Sequence, residues 1–127
     1  VPYAPGGFSD IVARTIAPAL QKRWGQSVVI DNRAGANGVI GTSAVAQAAP
    51  DGYTLLLALD SHASNHSLLK SLPYDSIRSF APVTFLGTAP MVLVANTQFA
   101  PNTVPELVKA AKAAHDSIAY GSLGPGS

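Results

Sequence analysis

A polar turn near the start of the sequence combines residue types that can hold an anion. It reads APGGFSD over residues 4–10 and places two adjacent glycines just before a helix predicted to begin at Ser9. The start of a helix carries unpaired N–H groups and the positive end of the helix dipole, and glycine lets a ligand come close to the backbone. The turn therefore indicates either an anion-binding site or a plain change of chain direction.

The residues around the two glycines favour a carboxylate over a nucleotide. The stretch lacks the G-x-G-x-x-G spacing of dinucleotide-binding turns, and the sequence contains no Walker-type G-K-[ST]. Asp10 would repel a highly charged phosphate beside it. A monocarboxylate held by N–H groups or by water is compatible with Asp10, and Ser9 or Asp10 is predicted to cap the helix.

A second stretch contains the residue types of a hydrolase triad, Asp60, Ser61 and His62. Adjacent residues on one turn seldom face each other, and the sequence has no G-x-S-x-G elbow. His62 and His66 have the i, i+4 spacing of a metal clamp, but the glutamate of H-E-x-x-H and a clear third ligand are missing. The pattern predicts no catalytic residue and no metal, with a Ser/His hydrolase as the less favoured alternative.

Alternating helical and strand-like segments position these turns. Helices are predicted over residues 9–24, 42–49, 60–72 and 103–115, and strands over residues 27–32, 53–59, 83–87, 91–96 and 117–122. This order predicts an α/β fold with a mainly parallel sheet flanked by helices. The turns 4–10, 60–65 and 121–127 each follow a predicted strand, and ligands of open parallel sheets bind at the carboxyl ends of strands.

The first predicted helix shows apolar residues at helical spacing. We expect it to end at Gly25 and to be kinked by Pro18. The residues predicted to face the core are Ile11, Val12, Ile16, Ala19 and Leu20. The strands at 27–32 and 53–59 are predicted to be buried, because both are short apolar runs.

Composition excludes several classes of function. Eight Lys and Arg residues stand against seven Asp and Glu residues, so no net field favours nucleic acid or an anionic membrane. No apolar run approaches the ~20 residues that span a bilayer. The absence of cysteine excludes disulfides, zinc–thiolate sites and a cysteine nucleophile. The sequence begins at Val1 and ends on GSLGPGS, and we interpret it as a fragment or processed chain.

Four stretches in a fixed order resemble one protein family. They are PYAPGGFSDIVAR, VIDNRAGANGVIGTSAVAQAAPDGYTLLL, LPYDSIRSFAPVTFLGTAPMVLV and TVPELVKAAKAAHDSIAYGSLGPGS. Together they closely resemble the Bug family, the TctC-like solute-binding receptors of tripartite tricarboxylate transporters. The resemblance runs along essentially the whole sequence, and the long pair N-R-x-G-A and A-P-D-G-Y-T-L-L makes it specific.

The resemblance implies a fold and a function. It implies a periplasmic-binding-protein-like fold of the Venus flytrap type II, with residues 1–95 forming most of the first lobe and residues 96–127 the incomplete start of the second. It implies a periplasmic receptor without catalysis or cofactor, secreted by a signal peptide absent from this chain. The receptor captures a small carboxylate, an organic acid or amino acid, between its lobes and delivers it to the membrane permease subunits. The alternative with the same fold is a ligand sensor for a signalling partner.

The resemblance also implies which residues contact the carboxylate. Phe8 departs from the smaller or polar residue expected beside the glycines, which would narrow the pocket or stack on an apolar ligand. We also expect a partial chain to dimerise or to exchange strands. The predicted ligand-binding residues are Pro5, Gly6, Gly7, Phe8, Ser9 and Asp10 in the first turn, Ser61, His62, Ala63 and Asn65 in the second, and Ser122, Gly124, Gly126 and Ser127 in the distal loop.

Overall fold

The structure, a computed structural model, describes residues 1–114 and 118–121. Four α-helices are present in these residues, together with a short 3₁₀ turn at Ala36–Gly38. The helices are α1 (Phe8–Trp24), α2 (Val39–Ala46), α3 (Ser61–Leu68) and α4 (Val104–Ala113). All four predicted helices are confirmed, although α2 begins three residues earlier than predicted and α3 ends four residues earlier.

Helix α1 matches its predicted length but not its predicted buried face. It continues through Pro18 and ends at Gly25, whose left-handed conformation (φ 63°) is the one glycine readily supplies at a helix end. The prediction of a core-facing stripe is wrong for Ile11 and Ala19, which are exposed. The buried residues are instead Ser9, Asp10, Ala13 and Ala17. The buried face of α1 thus consists of small residues and one carboxylate, and not of the large apolar residues that the spacing predicts.

The predicted sheet stays a prediction, because none of the described residues is assigned to a strand. None of the described apolar side chains in these segments is buried; they range from half-buried, as for several residues of 27–32 and 53–59, to strongly exposed, with Val29 at 83% and Val94 at 80%. The expected burial of residues 27–32 and 53–59 is therefore not found. An extended segment becomes a buried strand only when neighbouring strands and helices cover it.

One pair of hydrogen bonds follows the pattern of a parallel sheet. The Val1 amino group donates to the Asp31 carbonyl oxygen at 2.7 Å, and the Arg33 N–H donates to the Val1 carbonyl oxygen at 3.0 Å. A residue that bonds to both neighbours of the residue opposite it is paired in parallel register. Val1 therefore lies opposite Asn32, so the residues before the first turn run alongside residues 31–33.

Residues 1–82 and the described residues from 83 to 121 form two compact units. The first unit contains α1, α2 and α3, and the second contains α4. Thr103 caps α4, since its hydroxyl accepts the Glu106 N–H at 3.3 Å. The predicted lobe boundary after residue 95 stays a prediction.

No helix in the described part of the chain is long and apolar enough to cross a membrane.

Candidate functional site

The first turn is closed by its own helix. The Gly7 N–H donates to the Ala4 carbonyl oxygen at 3.3 Å, and the Gly6 N–H donates to Asp10 Oδ2 at 2.8 Å. Gly6 adopts a positive φ of 79°, which glycine tolerates at little cost. The N–H groups of the two glycines are therefore already engaged within the turn.

The start of α1, by contrast, has no cap. Gly7 is the N-cap residue, and no side chain of the described residues accepts an N–H from the first helical turn of α1, so the prediction that Ser9 or Asp10 caps this helix is wrong. Asp10 is the third residue of the helix, and its carboxylate reaches back to Gly6 instead. The N–H groups of Phe8, Ser9 and Asp10 have no acceptor among the described residues. Three backbone donors thus converge at the positive end of a 17-residue helix.

Asp10 is buried and ionised, and its charge is balanced by a neighbour that sequence reasoning missed. Arg14 Nε donates to Asp10 Oδ2 at 3.0 Å. This bond and the Gly6 N–H lower the pKa of Asp10 to about 2. The i, i+4 spacing of Asp10 and Arg14 is the one signal in the sequence that could have identified Arg14 as the partner. The pair leaves the turn close to electrically neutral, so a carboxylate beside it is not repelled.

Two polar atoms near the start of α1 are buried without a partner among the described residues. They are Ser9 Oγ and Asp10 Oδ1, and both residues are at most 3% exposed. Phe8, by contrast, is 52% exposed at the first position of the helix. An exposed apolar ring therefore lies next to the three unpaired donors, two of which belong to the buried residues Ser9 and Asp10.

The second predicted turn differs from the first in its capping. Asp60 caps α3, because its side chain accepts the Ser61 N–H at 2.9 Å. The N–H groups of His62, Ala63 and Ser64 donate to the carbonyl oxygens of Leu59 or Asp60. The N–H groups at the start of α3 are therefore already paired, unlike those at the start of α1.

The side chains of the second turn have separate environments. Ser61 is buried, with its Oγ 2.5 Å from the Tyr3 hydroxyl. Asn65 is 2% exposed and forms two hydrogen bonds with Asn37, each 3.0 Å long. Ala63 is exposed. Ser61 is thus joined to the first turn through Tyr3, and Asn65 to the loop before α2.

His62 lies in an aromatic cluster and not beside Ser61. Its Nε2 donates to the Ser76 carbonyl oxygen at 2.9 Å, and its ring stacks on Tyr74 and meets Phe80 edge-on. No hydrogen bond joins His62 to Ser61, so the geometry does not support a Ser/His nucleophile here. No group of three or more His, Cys, Asp or Glu residues that could hold a metal ion occurs in the part of the chain that the structure describes.

The loop before α2 is held in an unusual conformation by this second turn. Gly35, Ala36, Asn37 and Gly38 all have positive φ, with values of 134°, 47°, 50° and 86°. Two of them carry side chains, which rarely adopt this region. The bonds from Asn37 to the buried Asn65 help to hold the strained loop against α3.

The structure brings together the first two groups of predicted site residues but leaves the third untested. Residues 5–10 and residues 61–65 belong to one compact unit and are connected through Tyr3. Ser122, Gly124, Gly126 and Ser127 lie outside the described residues. A cavity of about 260 Å³ lies elsewhere, beside Tyr74 and Lys70, and none of the predicted ligand-binding residues lines it.

Comparison with known proteins identifies the family of this chain. The chain is 44% identical over 122 residues to Protein BugT of Bordetella pertussis, covering 94% of the chain and 37% of that protein. It is 37% identical over 127 residues to the UPF0065 protein in the tcbD-tcbE intergenic region of Pseudomonas sp. (strain P51), covering all of the chain and 38% of that protein. It thus spans less than two fifths of the length of these curated relatives. The model of the tripartite tricarboxylate transporter family receptors matches residues 12–127, and the chain belongs to this family.

Proposed function

We propose that this chain is part of a periplasmic solute-binding receptor. The receptor captures a small carboxylate, an organic acid or an amino acid, and delivers it to the membrane subunits of a tripartite tricarboxylate transporter. The observation that carries the proposal is the uncapped start of α1, where the N–H groups of Phe8, Ser9 and Asp10 have no acceptor among the described residues. Family membership supports the receptor class.

Electrostatics at the first turn suits one carboxylate group. Backbone N–H groups at a helix start supply partial positive charge and directed donors to an anion. The only full charges placed at this turn by the described contacts, those of Asp10 and Arg14, neutralise each other. The turn therefore holds a carboxylate without a strong fixed clamp. This suits a receptor, because it must also release its ligand.

Ordered water completes the proposed contact. Ser9 Oγ and Asp10 Oδ1 are buried polar atoms without a partner among the described residues, and such atoms are commonly satisfied by bound water. A water molecule between this turn and the carboxylate would also separate the ligand from the Asp10 charge. We propose that Pro5, Gly6 and Gly7 shape the turn and that Phe8 packs against the apolar part of the ligand.

The remaining parts of the receptor follow from the same proposal. Residues 1–95 form most of one lobe and residues 96–127 begin the other, each with strands of a mainly parallel sheet. The parallel pairing of Val1 with Asn32 supports such a sheet. The second turn, with Ser61, His62, Ala63 and Asn65, and the distal loop, with Ser122, Gly124, Gly126 and Ser127, would complete the cleft. No catalytic step or cofactor is part of this function.

A pair of substitutions at Phe8 separates the backbone donor from the aromatic ring. Phe8→Pro removes one N–H at the first helical position, where proline is favoured, and Gly7 (φ −74°, ψ 169°) already has the extended conformation required before proline. Phe8→Ala keeps the N–H and removes the ring. Trp24→Ala, at the other end of α1 and 50% exposed, is the matched control.

The test is a binding titration of these variants, with succinate, malate, citrate, glutamate, nicotinate and terephthalate, in the full-length receptor that contains this chain. Hydrogen bonds to a charged group contribute about 1.5–3 kcal/mol. Phe8→Pro should therefore lower the affinity for whichever acid binds by about 10- to 150-fold. Phe8→Ala should lower the affinity for nicotinate and terephthalate more than the affinity for succinate. If no acid binds, or if Phe8→Pro binds as well as wild type, the proposed site is wrong.

A further inference from the structure

We propose that Tyr3 is a positioning residue that sets the spacing between the two ligand-holding turns, residues 4–10 and 60–65, through the hydrogen bond between its hydroxyl and Ser61. Tyr3 is not among the residues that the sequence predicts for the site. The inference rests on the proposed function, because it concerns how that carboxylate site is assembled. Three contacts of Tyr3 carry it, one from the hydroxyl, one from the ring and one from the backbone.

The hydroxyl contact joins two turns that are distant in sequence. Tyr3 Oη lies 2.5 Å from Ser61 Oγ, and the two residues are 58 positions apart. Ser61 is 5% exposed and is the first residue of α3. Because the Tyr3 hydroxyl bonds a side chain of the second turn, we assign Tyr3 a role that acts on a ligand through the position of Ser61.

The ring contact fixes the direction of that hydroxyl. A Cβ atom on Gly38 would lie 3.2–3.3 Å from the Tyr3 ring atoms Cε1 and Cζ and from its hydroxyl oxygen, so the ring lies directly against the Gly38 backbone. Gly38 also has a positive φ of 86°, a second reason for glycine at this position. The ring is therefore supported along its outer half, where the hydroxyl is attached.

The backbone contact ties Tyr3 to the first turn. Asn32 Nδ2 donates to the Tyr3 carbonyl oxygen at 3.1 Å, and Asn32 Oδ1 accepts from Arg14 Nη2 at 3.3 Å. Arg14 in turn bonds Asp10, which holds Gly6. A continuous set of hydrogen bonds thus runs from the Gly6 N–H through Tyr3 to Ser61. A shift of α3 relative to α1 must stretch this set.

The test compares variants that remove one hydroxyl at a time. Tyr3→Phe keeps the ring on Gly38, Ser61→Ala removes the other hydroxyl, and Ser61→Thr restores it. Matched controls are Tyr53→Phe, at an 89% exposed tyrosine, and Ser67→Ala, at an exposed serine of the same helix α3. The affinities of the full-length receptor for succinate, glutamate and terephthalate are measured for each variant. Tyrosine hydroxyl protons are followed by NMR in the same proteins without acid.

The proposal expects a coupled loss of affinity. Tyr3→Phe and Ser61→Ala should each weaken binding about two- to tenfold, the double variant should be no weaker than either, and Ser61→Thr should restore the affinity. Both controls should bind as wild type. A slowly exchanging Tyr3 hydroxyl proton should be present in wild type and in Ser61→Thr and absent in Ser61→Ala.

Other results overturn the proposal and separate it from the proposed function. If wild type binds an acid and Tyr3→Phe binds it equally well, or if the two losses simply add, Tyr3 does not position the site although the receptor function stands. If Ser61→Ala keeps the protected hydroxyl proton, the bond to Ser61 is not formed. If wild type binds none of the acids, the proposed function fails, and the role of Tyr3 in it fails with it, whatever the hydroxyl resonance shows.

Discussion

At the residue scale, Asp10 has a structural task beside a group of unpaired donors. Its Oδ2 accepts hydrogen bonds from both the Gly6 N–H and Arg14, while its backbone N–H belongs to the uncapped start of α1. The negative charge of the Asp10 side chain would disfavour an anionic ligand if no cation lay beside it. Because Arg14 compensates its charge, Asp10 can close the turn without preventing a carboxylate from binding.

The depressed pKa of Asp10 predicts a specific dependence of stability on pH. The pKa of Asp10 is lowered to about 2 in the folded chain, from 3.8 for an unperturbed aspartate. Ionised Asp10 therefore stabilises the fold fully above pH 3.8, and this contribution is lost as the pH falls towards about 2. We expect Asp10→Asn to melt below wild type at pH 7, with the difference shrinking between pH 4 and pH 2.

Thermal melts of both proteins from pH 2 to pH 7 check this prediction. The control is the comparison of the two melting temperatures at low pH. There they should converge, because protonated Asp10 and asparagine are both neutral. Asp75, whose pKa is also lowered by backbone N–H donors, is present in both proteins and cancels in the difference. A difference in melting temperature that stays constant over this range would contradict the role assigned to the ionised carboxylate.

At the element scale, α2 lies so close to the first residues that one of its positions requires glycine. A Cβ atom on Gly41 would lie 2.6 Å from Pro2 Cα and 2.7 Å from the Arg33 carbonyl oxygen. Both are backbone atoms, so no side-chain rotation relieves the overlap. Pro2 is among the most buried residues of the chain. The approach of α2 therefore helps to hold Tyr3 and the first turn in place.

We expect Gly41→Ala to destabilise residues 1–82 by about 1–3 kcal/mol, the usual cost of inserting a methyl group into a packed region. Urea unfolding followed by circular dichroism measures the change. Gly121→Ala is the control, because no atom of the described residues lies within 4 Å of the added Cβ, and it should change stability by less than about 0.5 kcal/mol. Equal effects of the two substitutions would show that α2 does not pack as closely as described.

At the scale of the whole molecule, the predicted strand segments expose many large apolar side chains. Val29, Val83, Phe85, Met91 and Val94 are each at least 79% exposed. Extended segments with unpaired backbone groups and apolar side chains associate with other strands. These segments would be covered if a sheet formed around them, either within a longer receptor or between copies of this chain.

We therefore expect the isolated chain to self-associate. Light scattering after size exclusion should give a mass above that of one chain, rising with protein concentration. Val29→Lys combined with Val94→Lys should shift the mass towards the monomer, because a charge on each segment opposes pairing. The control is Lys22→Arg, at an exposed position in the last turn of α1, which should leave the mass unchanged. A monomeric wild type at all concentrations would contradict the prediction.

Local sequence determined the helices and the family of this protein. The capping residue Thr103 and the terminating Gly25 act through neighbours in the chain, so their positions are readable without a fold. The family match confirms the resemblance carried by the sequence motifs. The i, i+4 pair of Asp10 and Arg14 was equally local, although its effect on the charge of the turn needed the structure.

Tertiary structure alone decided the long-range contacts of the candidate site. The bond between Tyr3 and Ser61 spans 58 positions, and no local pattern specifies a contact of that range. The contact of His62 with aromatic rings is likewise a product of packing with Tyr74 and Phe80. Sequence spacing determines which donors a turn can offer, and long-range packing determines which of them remain for a ligand.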